Sequence, residues 1–413
     1  MFKFDFIHTL AFTGAVLFIG YGVRNFIRPL ARYNIPAPVV GGLLVALASW
    51  ITRSPDGALF TFDTALQTPL MIAFFTSIGF GASLSLLRVG GPQVLLLFLI
   101  ASVFAIVQNL VGIVVAVPFG LDPLFGVLAG AVTLTGGPAT GLAFAPEFEA
   151  AGVTGAATIA VATAMGGIVF GGLVGGPLGT RLIERYELRA RRPRTRLDTP
   201  SATEAVEERV PDAVEPRETH PPEGEDEGSY VLLKAVVAIL IAMWIGSVVS
   251  RWFVDLGITL PAYIGAMLVA AVIRNLDDVT GIVKLPERTI EDVGNAALSL
   301  FLVMALMTLK LWELAGLALP LIAILIAQIV VVAVFSFWWL FRWMGRDYDA
   351  AVMSGGFIGF MLGTTANAMA NMRSLVERYG PAPRAFLVIP MVGAFFIDFT
   401  NAIIITIFLN VLR

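Results

Sequence analysis

The stretch Thr133-Leu134-Thr135-Gly136-Gly137-Pro138-Ala139-Thr140-Gly141 decides the fold. It interrupts an apolar run at about 124–144 with glycine, proline and small hydroxyl residues, which disrupt a continuous helix. The same kind of interruption recurs in Gly363-Thr364-Thr365-Ala366-Asn367, inside the run at about 349–371. Non-helical backbone at membrane depth is tolerated only where it is buried or lines a cavity. Both runs therefore read as helices that break and turn back instead of crossing.

Ten more apolar runs surround these two. Runs of roughly 17–25 residues suit a bilayer. In the first half they fall at about 7–27, 36–52, 68–87, 94–118 and 154–182, and in the second at about 231–253, 260–274, 294–314, 318–341 and 385–410. The first lacks a clear cleavage site and more spans follow it, so it is not a cleavable signal peptide. Of the 413 residues 57% are hydrophobic and 14% charged, with a mean hydropathy of +0.85. That charged fraction is about half the usual one for a soluble domain. An ordinary soluble protein is excluded, and so is a nucleic-acid binder, because no basic face exists. Without cysteine, and with His8 and His220 as the only histidines, thiolate and histidine metal chemistry has almost nothing to use.

The charges are unevenly placed. Residues 184–229 hold 13 acidic and 8 basic side chains, so the formal charge of −3 divides into −5 there and +2 elsewhere. Six prolines and few apolar residues make this segment a disordered charged linker. It divides the chain into a first membrane repeat at 1–183 and a second at 230–413.

The halves echo each other. Gly120-Leu121-Asp122 and Gly126-Val127-Leu128-Ala129-Gly130 match Gly345-Arg346-Asp347 and Ala351-Val352-Met353-Ser354-Gly355 at an offset of 225. Ile35-Pro36-Ala37 matches Leu260-Pro261-Ala262 at the same offset. Near the ends, Phe170 aligns with Phe396 and Gly172 with Asp398. Such duplication in a membrane protein points to two copies of one folding unit. Six crossings per half would make the copies parallel; five plus a re-entrant hairpin would invert them. With the N-terminus outside and the fifth segments re-entrant, 22 Lys and Arg fall inside and 5 outside. The expected fold is an all-α polytopic membrane protein of two inverted-topology repeats, each five transmembrane helices plus a re-entrant hairpin. The linker is then cytoplasmic and both termini lie outside.

Broken helices at matching positions are the best sequence pointer to a transporter's central site. Their exposed N–H groups and carbonyls attract anions and cations respectively. The substrate contacts expected on this basis are Thr135, Gly136, Gly137 and Thr140 in the first hairpin and Gly363, Thr364, Thr365 and Asn367 in the second. Close helix packing is the plainer explanation of these small residues. Asp398 is the only carboxylate deep inside an expected span, in Phe396-Ile397-Asp398-Phe399-Thr400-Asn401. Asp398 and Asn401 share a helix face and, with Thr400 and free carbonyls, would make an oxygen-only site suited to sodium. A proton-carrying carboxylate and a structural, hydrogen-bonded aspartate are the alternatives.

The other polar groups have plainer readings. Gln108, Asn109 and Gln328 are expected to hydrogen-bond between helices. Gly166, Gly167, Gly171, Gly172, Gly175 and Gly176 line a helix that packs closely against a hairpin. Arg373 snorkels to the inner surface, and Lys310 pairs with Glu313.

Three stretches carry a family resemblance. They are Ile35-Pro36-Ala37-Pro38-Val39-Val40-Gly41-Gly42-Leu43-Leu44-Val45-Ala46, Met304-Ala305-Leu306-Met307-Thr308-Leu309-Lys310-Leu311-Trp312-Glu313-Leu314 and Val388-Ile389-Pro390-Met391-Val392-Gly393-Ala394-Phe395-Phe396-Ile397-Asp398. With them the chain resembles the glutamate:sodium symporter family of bacteria over nearly its whole length outside the linker. The resemblance implies sodium-coupled uptake of L-glutamate across the inner membrane, sodium as coupling ion and no other cofactor. It further implies a homodimer and an elevator-like movement of one domain against another. The family's first hairpin usually reads Gly-Gly-His-Gly-Thr, where this chain has Gly136-Gly137-Pro138-Ala139-Thr140. Its second often has a proline and a threonine where Ala366 and Asn367 stand.

A proton- or sodium-coupled carrier of another organic anion, such as a dicarboxylate, is the rival within transport. An intramembrane aspartyl protease would need two nearby carboxylates, and only Asp398 lies deep. A channel fits less well, because duplicated hairpins argue for alternating access.

Overall fold

The computed structural model describes residues 2–52, 60–84, 91–188, 227–255, 262–314 and 316–412. Most of the expected linker, together with Arg53, Arg88 and Arg413, lies outside the described residues. In the first half the helices are α1 (Phe6–Phe26), α2 (Ala37–Ile51), α3 (Gln67–Gly81) and α4 (Gly91–Ala116). A helix pair follows: α5 (Pro123–Val127), running on as a π turn over Leu128–Val132, and α6 (Gly137–Ala150). Helix α7 (Ala156–Arg185) closes the half.

The second half repeats the order with α8 (Glu227–Asp255), α9 (Ala262–Thr280), α10 (Glu287–Met307) and α11 (Ala318–Phe335), which continues through a π turn to Trp343. Its helix pair is α12 (Tyr348–Leu362) and α13 (Thr365–Tyr379). The last segment is α14 (Pro383–Met391), a π turn over Val392–Phe396, and α15 (Ile397–Leu412). Among the described residues six helices, α1, α4, α7, α8, α10 and α11, are long and apolar enough to cross a bilayer. The molecule is an all-α polytopic membrane protein.

The 225-residue offset has a physical counterpart. Ala37, which opens α2, and Ala262, on α9, stand 225 residues apart. Asp122 caps α5 by accepting from the Leu124 N–H at 2.8 Å, and Asp347 caps α12 by accepting from the Ala350 N–H at 2.9 Å. In each half an aspartate thus satisfies an N-terminal donor where the helix pair begins.

Packing sorts the segments differently from the chain halves. Helices α1, α2, α3, α8, α9 and α10 pack on one another and form a first bundle. The remaining segments, α4–α7 and α11–α15, form a second. In the second bundle the halves interlock: α7 lies along α12 and α13, and α15 lies against α4 and α5. Helix α12 is buried at every residue except Asp349, so it runs through the middle of this bundle. The seam between bundles is apolar. Tyr263 of α9, stacked on Phe75 of α3 within the first bundle at 4.4 Å, meets Phe144 of α6 edge-on across the seam at 5.4 Å.

Candidate functional site

The first helix pair breaks in two steps. Gly130 leaves helical geometry (φ −98°, ψ −129°), and Gly137 opens α6 with φ +69°. Between them Thr133 and Leu134 fold back, both N–H groups donating to the Gly130 carbonyl. The second pair breaks at Gly363 (φ −151°, ψ −107°). There Thr364 starts α13, its hydroxyl accepting from the Asn367 N–H at 3.4 Å.

The two breaks meet. A Cβ placed on Gly137 would lie 3.7 Å from Thr364 Cγ2 and 3.8 Å from the Gly363 carbonyl oxygen. Residues about 226 positions apart in sequence therefore face each other across the N-termini of α6 and α13. Thr364 and Thr365 are half-buried and Ala366 is exposed, so this junction has an open side.

The expected site residues take different positions around the junction. Gly136 and Gly137 form the first tip, where the Gly136 N–H donates to the Ala131 carbonyl at 3.0 Å. Thr140 is buried directly beneath Gly136. Thr135 is buried too, and its hydroxyl donates to Gln108 Oε1 at 2.5 Å, so it supports the tip from behind. On the second tip Thr365 donates to the Gly393 carbonyl at 3.0 Å, tying the tip to the π turn before Asp398. Asn367 is 1% exposed; its Nδ2 donates to the Ile168 carbonyl of α7 at 2.8 Å.

Asp398 stands in the first turn of α15 and is half-buried, as is Thr400. Among the described residues the Asp398 carboxylate has no hydrogen bond or ion pair. Asn401 is fully buried and reaches the first helix pair, its Nδ2 donating to the Ala131 carbonyl at 3.0 Å. These bonds fix how both asparagine amides point. They leave Asn401 Oδ1 and Asn367 Oδ1 buried without a hydrogen-bond partner among the described residues. A buried acceptor left unpaired is unfavourable by about 1–3 kcal/mol, and a hard cation is one natural complement for such oxygens. No group of three or more His, Asp or Glu side chains suited to a metal occurs among the described residues.

Polar residues on α4 and α11 supply what sequence reasoning understated. Gln108, Asn109 and Gln328 do bond between helices, as expected, and they converge on the breaks. Asn109 Oδ1 accepts from the Ala131 N–H at 2.9 Å, Gln108 Nε2 donates to the Met361 carbonyl at 2.7 Å, and Gln328 Nε2 donates to the Gln108 carbonyl at 2.6 Å. The signal available was two adjacent amides inside an apolar run. The glycine-lined helix packs on the second pair: Gly171 meets Leu362, and Gly175 lies against Gly355 and Asn371. Arg373 is exposed, and Lys310 approaches Glu313 at 3.7 Å. An apolar groove of about 510 Å³ between α4 and α11, lined by Leu99, Phe104, Phe335 and Trp339, has no polar lining to hold a charged solute.

Residues 2–381 match the family model described as sodium/glutamate symporter. The sodium/glutamate symporter of Escherichia coli (strain K12) is 40% identical over 410 residues, covering 99% of this chain and 98% of that protein. The sodium/glutamate symporter of Haemophilus influenzae is 38% identical over 404 residues, covering 97% of this chain and 96% of that protein. These relatives carry the names of transporters, not enzymes. With likeness of this extent from end to end, the chain belongs to the sodium/glutamate symporter family.

Proposed function

We propose that the chain is a secondary active transporter that takes up L-glutamate with sodium across a bacterial inner membrane. The observation that carries the reading is the meeting of the two helix breaks at Gly137 and Gly363-Thr364. Helix N-termini from both halves come together there, and such ends favour a carboxylate. The Asp398 carboxylate and Asn401 Oδ1, both unpaired among the described residues, lie on one helix that touches the first pair, an oxygen-only set fit for sodium. Asn367 Oδ1 is a further oxygen of the same kind behind the second tip.

The same meeting supports the topology. Helix α12 has 15 residues and reaches about 22 Å, short of a hydrocarbon core of about 30 Å. Helices α2 and α3 are as short, so length alone does not separate them. What distinguishes the pairs is that each turns back at a glycine and that the turns face each other inside the protein. We therefore read them as re-entrant hairpins in two inverted repeats, 1–183 and 230–413, joined by a cytoplasmic linker, with both termini outside. The apolar seam favours an elevator-like cycle in which the second bundle slides past the first, and the homodimer follows from family resemblance.

The mechanism then runs in order. Sodium neutralises the Asp398 carboxylate and orders the second tip through the Gly393 carbonyl that Thr365 holds. Glutamate docks between the tips, and the loaded bundle crosses with its charges compensated. Sodium-driven glutamate uptake into proteoliposomes is the direct test. The wild type is expected to accumulate glutamate only with an inward sodium gradient, and Asp398→Asn to lose that dependence. Uptake indifferent to both the gradient and the substitution would sink the assignment. A panel of unlabelled organic anions reads the substrate, because another dicarboxylate that competes better than glutamate would replace it.

A further inference from the structure

We propose that Gln108 is the positioning residue that keeps the two helix tips in register; this rests on reading the tips as the substrate site. The Gln108 side chain is fully buried and touches both pairs at once. Its Oε1 accepts from the Thr135 hydroxyl at 2.5 Å, and its Nε2 donates to the Met361 carbonyl at 2.7 Å. Thr135 lies two residues before Gly137, and Met361 two residues before Gly363. One planar amide therefore holds the chain at equal distances from the two points where the tips meet. The Met361 carbonyl belongs to the last turn of α12, where the helix leaves carbonyls without partners. An amide offers a donor and an acceptor on one rigid neutral plane. The backbone that carries it is held as well, since Gln328 of α11 donates to the main-chain carbonyl of Gln108 at 2.6 Å.

Gln108 stands behind the tips, so its role is to set their spacing. A site assembled from two half-sites loses affinity when one shifts by a fraction of its contact distance, while the moving bundle remains intact. Loss of the two bonds is expected to raise the KM for glutamate about tenfold in Gln108→Leu. The maximum rate should stay within about threefold of wild type. Thr135→Val should show the same direction, Thr135→Ser should restore wild-type behaviour, and the Gln108→Leu, Thr135→Val double variant should be no worse than the worse single. Unchanged KM, or effects that multiply in the double variant, would overturn the proposal.

Register can be read apart from transport. The chain has no cysteine, so Ala139→Cys and Ala366→Cys take spin labels on the two tips without background. The tip-to-tip distance distribution should be narrow in the otherwise native chain and broader in Gln108→Leu. If Gln108→Leu does not fold, Thr135→Val with the same labels reads the same link. An unchanged distribution overturns the proposal whatever the chain carries. A wild-type chain that takes up no glutamate, yet shows the narrow distribution and its broadening, overturns only the reading of function.

Discussion

Ala131 is held at both of its peptide groups. Its N–H donates to Asn109 Oδ1, and its carbonyl accepts from Asn401 Nδ2 and the Gly136 N–H. These bonds replace what the break at Gly130 takes away, because a freed peptide group in the interior must find a partner. Asn109→Leu keeps the bulk and removes the acceptor, leaving a buried N–H unsatisfied. The expected destabilisation is about 1–3 kcal/mol, read as earlier thermal unfolding in detergent, whereas a variant that melts with wild type would remove Asn109 from this role. Asn109 and Gln108 are legible in the sequence as amides inside an apolar run, but their partners are not. Gln108 meets Met361 across 253 positions and Thr135 across 27, and contacts so distant leave no periodic pattern. Asp398 is the opposite case. A lone carboxylate in an apolar run stands out by charge alone, before any neighbour is known.

The helix breaks are readable for a local reason. Glycine and proline act on their own backbone, so the breaks at Gly137 and Gly363 fall inside the stretches that composition marks, while the first step, at Gly130, comes three residues before its stretch. Helix ends are less readable where charges continue a helix past its apolar part. Helix α9 runs to Thr280, six residues beyond the expected end, because Arg274 pairs with Asp278 at 2.9 Å and Asp277 accepts from the N–H groups of Val283, Lys284 and Leu285. Likewise α10 starts at Glu287, whose carboxylate pairs with Arg274, instead of at 294. Helix α7 shows how closely elements can approach. A Cβ on Gly175 would come within 2.6 Å of the Gly355 carbonyl oxygen, which is backbone and cannot swing away, while a Cβ on Gly172 has Tyr33 Cδ1 as its nearest neighbour at 4.0 Å. Gly175→Ala should therefore push α7 from the second pair, with a loss of about 1–3 kcal/mol and of uptake. Gly172→Ala, one turn earlier, should match wild type in both assays; equal effects at the two positions would refute the close contact.

At the scale of the molecule the halves of the chain are not the units of packing. Each half sends its first three segments to one bundle and the rest to the other, an exchange that hydropathy cannot reveal because every segment is apolar. The side-chain hydrogen bonds around the two helix breaks stay inside the second bundle, while those of Asp277 and of Asn275, which donates to the Ala82 carbonyl at 2.8 Å, stay inside the first. Across the seam the Thr158 hydroxyl reaches the Lys310 carbonyl at 3.5 Å, near the limit of a bond. Polar bonds that lock each bundle internally, beside an apolar seam, leave the seam as the surface along which relative movement breaks fewest directed bonds. Joining the bundles should then arrest transport without disturbing either one. Thr158→Cys with Lys310→Cys, bridged by a short thiol-cleavable cross-linker, is expected to abolish sodium-driven uptake and to regain it on reduction. The matching control is Lys3→Cys with Thr61→Cys, partners where the two-residue strand Phe2–Lys3 before α1 pairs with Phe60–Thr61 before α3; both flank helices of the first bundle, so this pair should transport equally well bridged or free. Full uptake with the first pair bridged would mean that the bundles do not move past each other at Thr158, and the sliding seam would have to be given up.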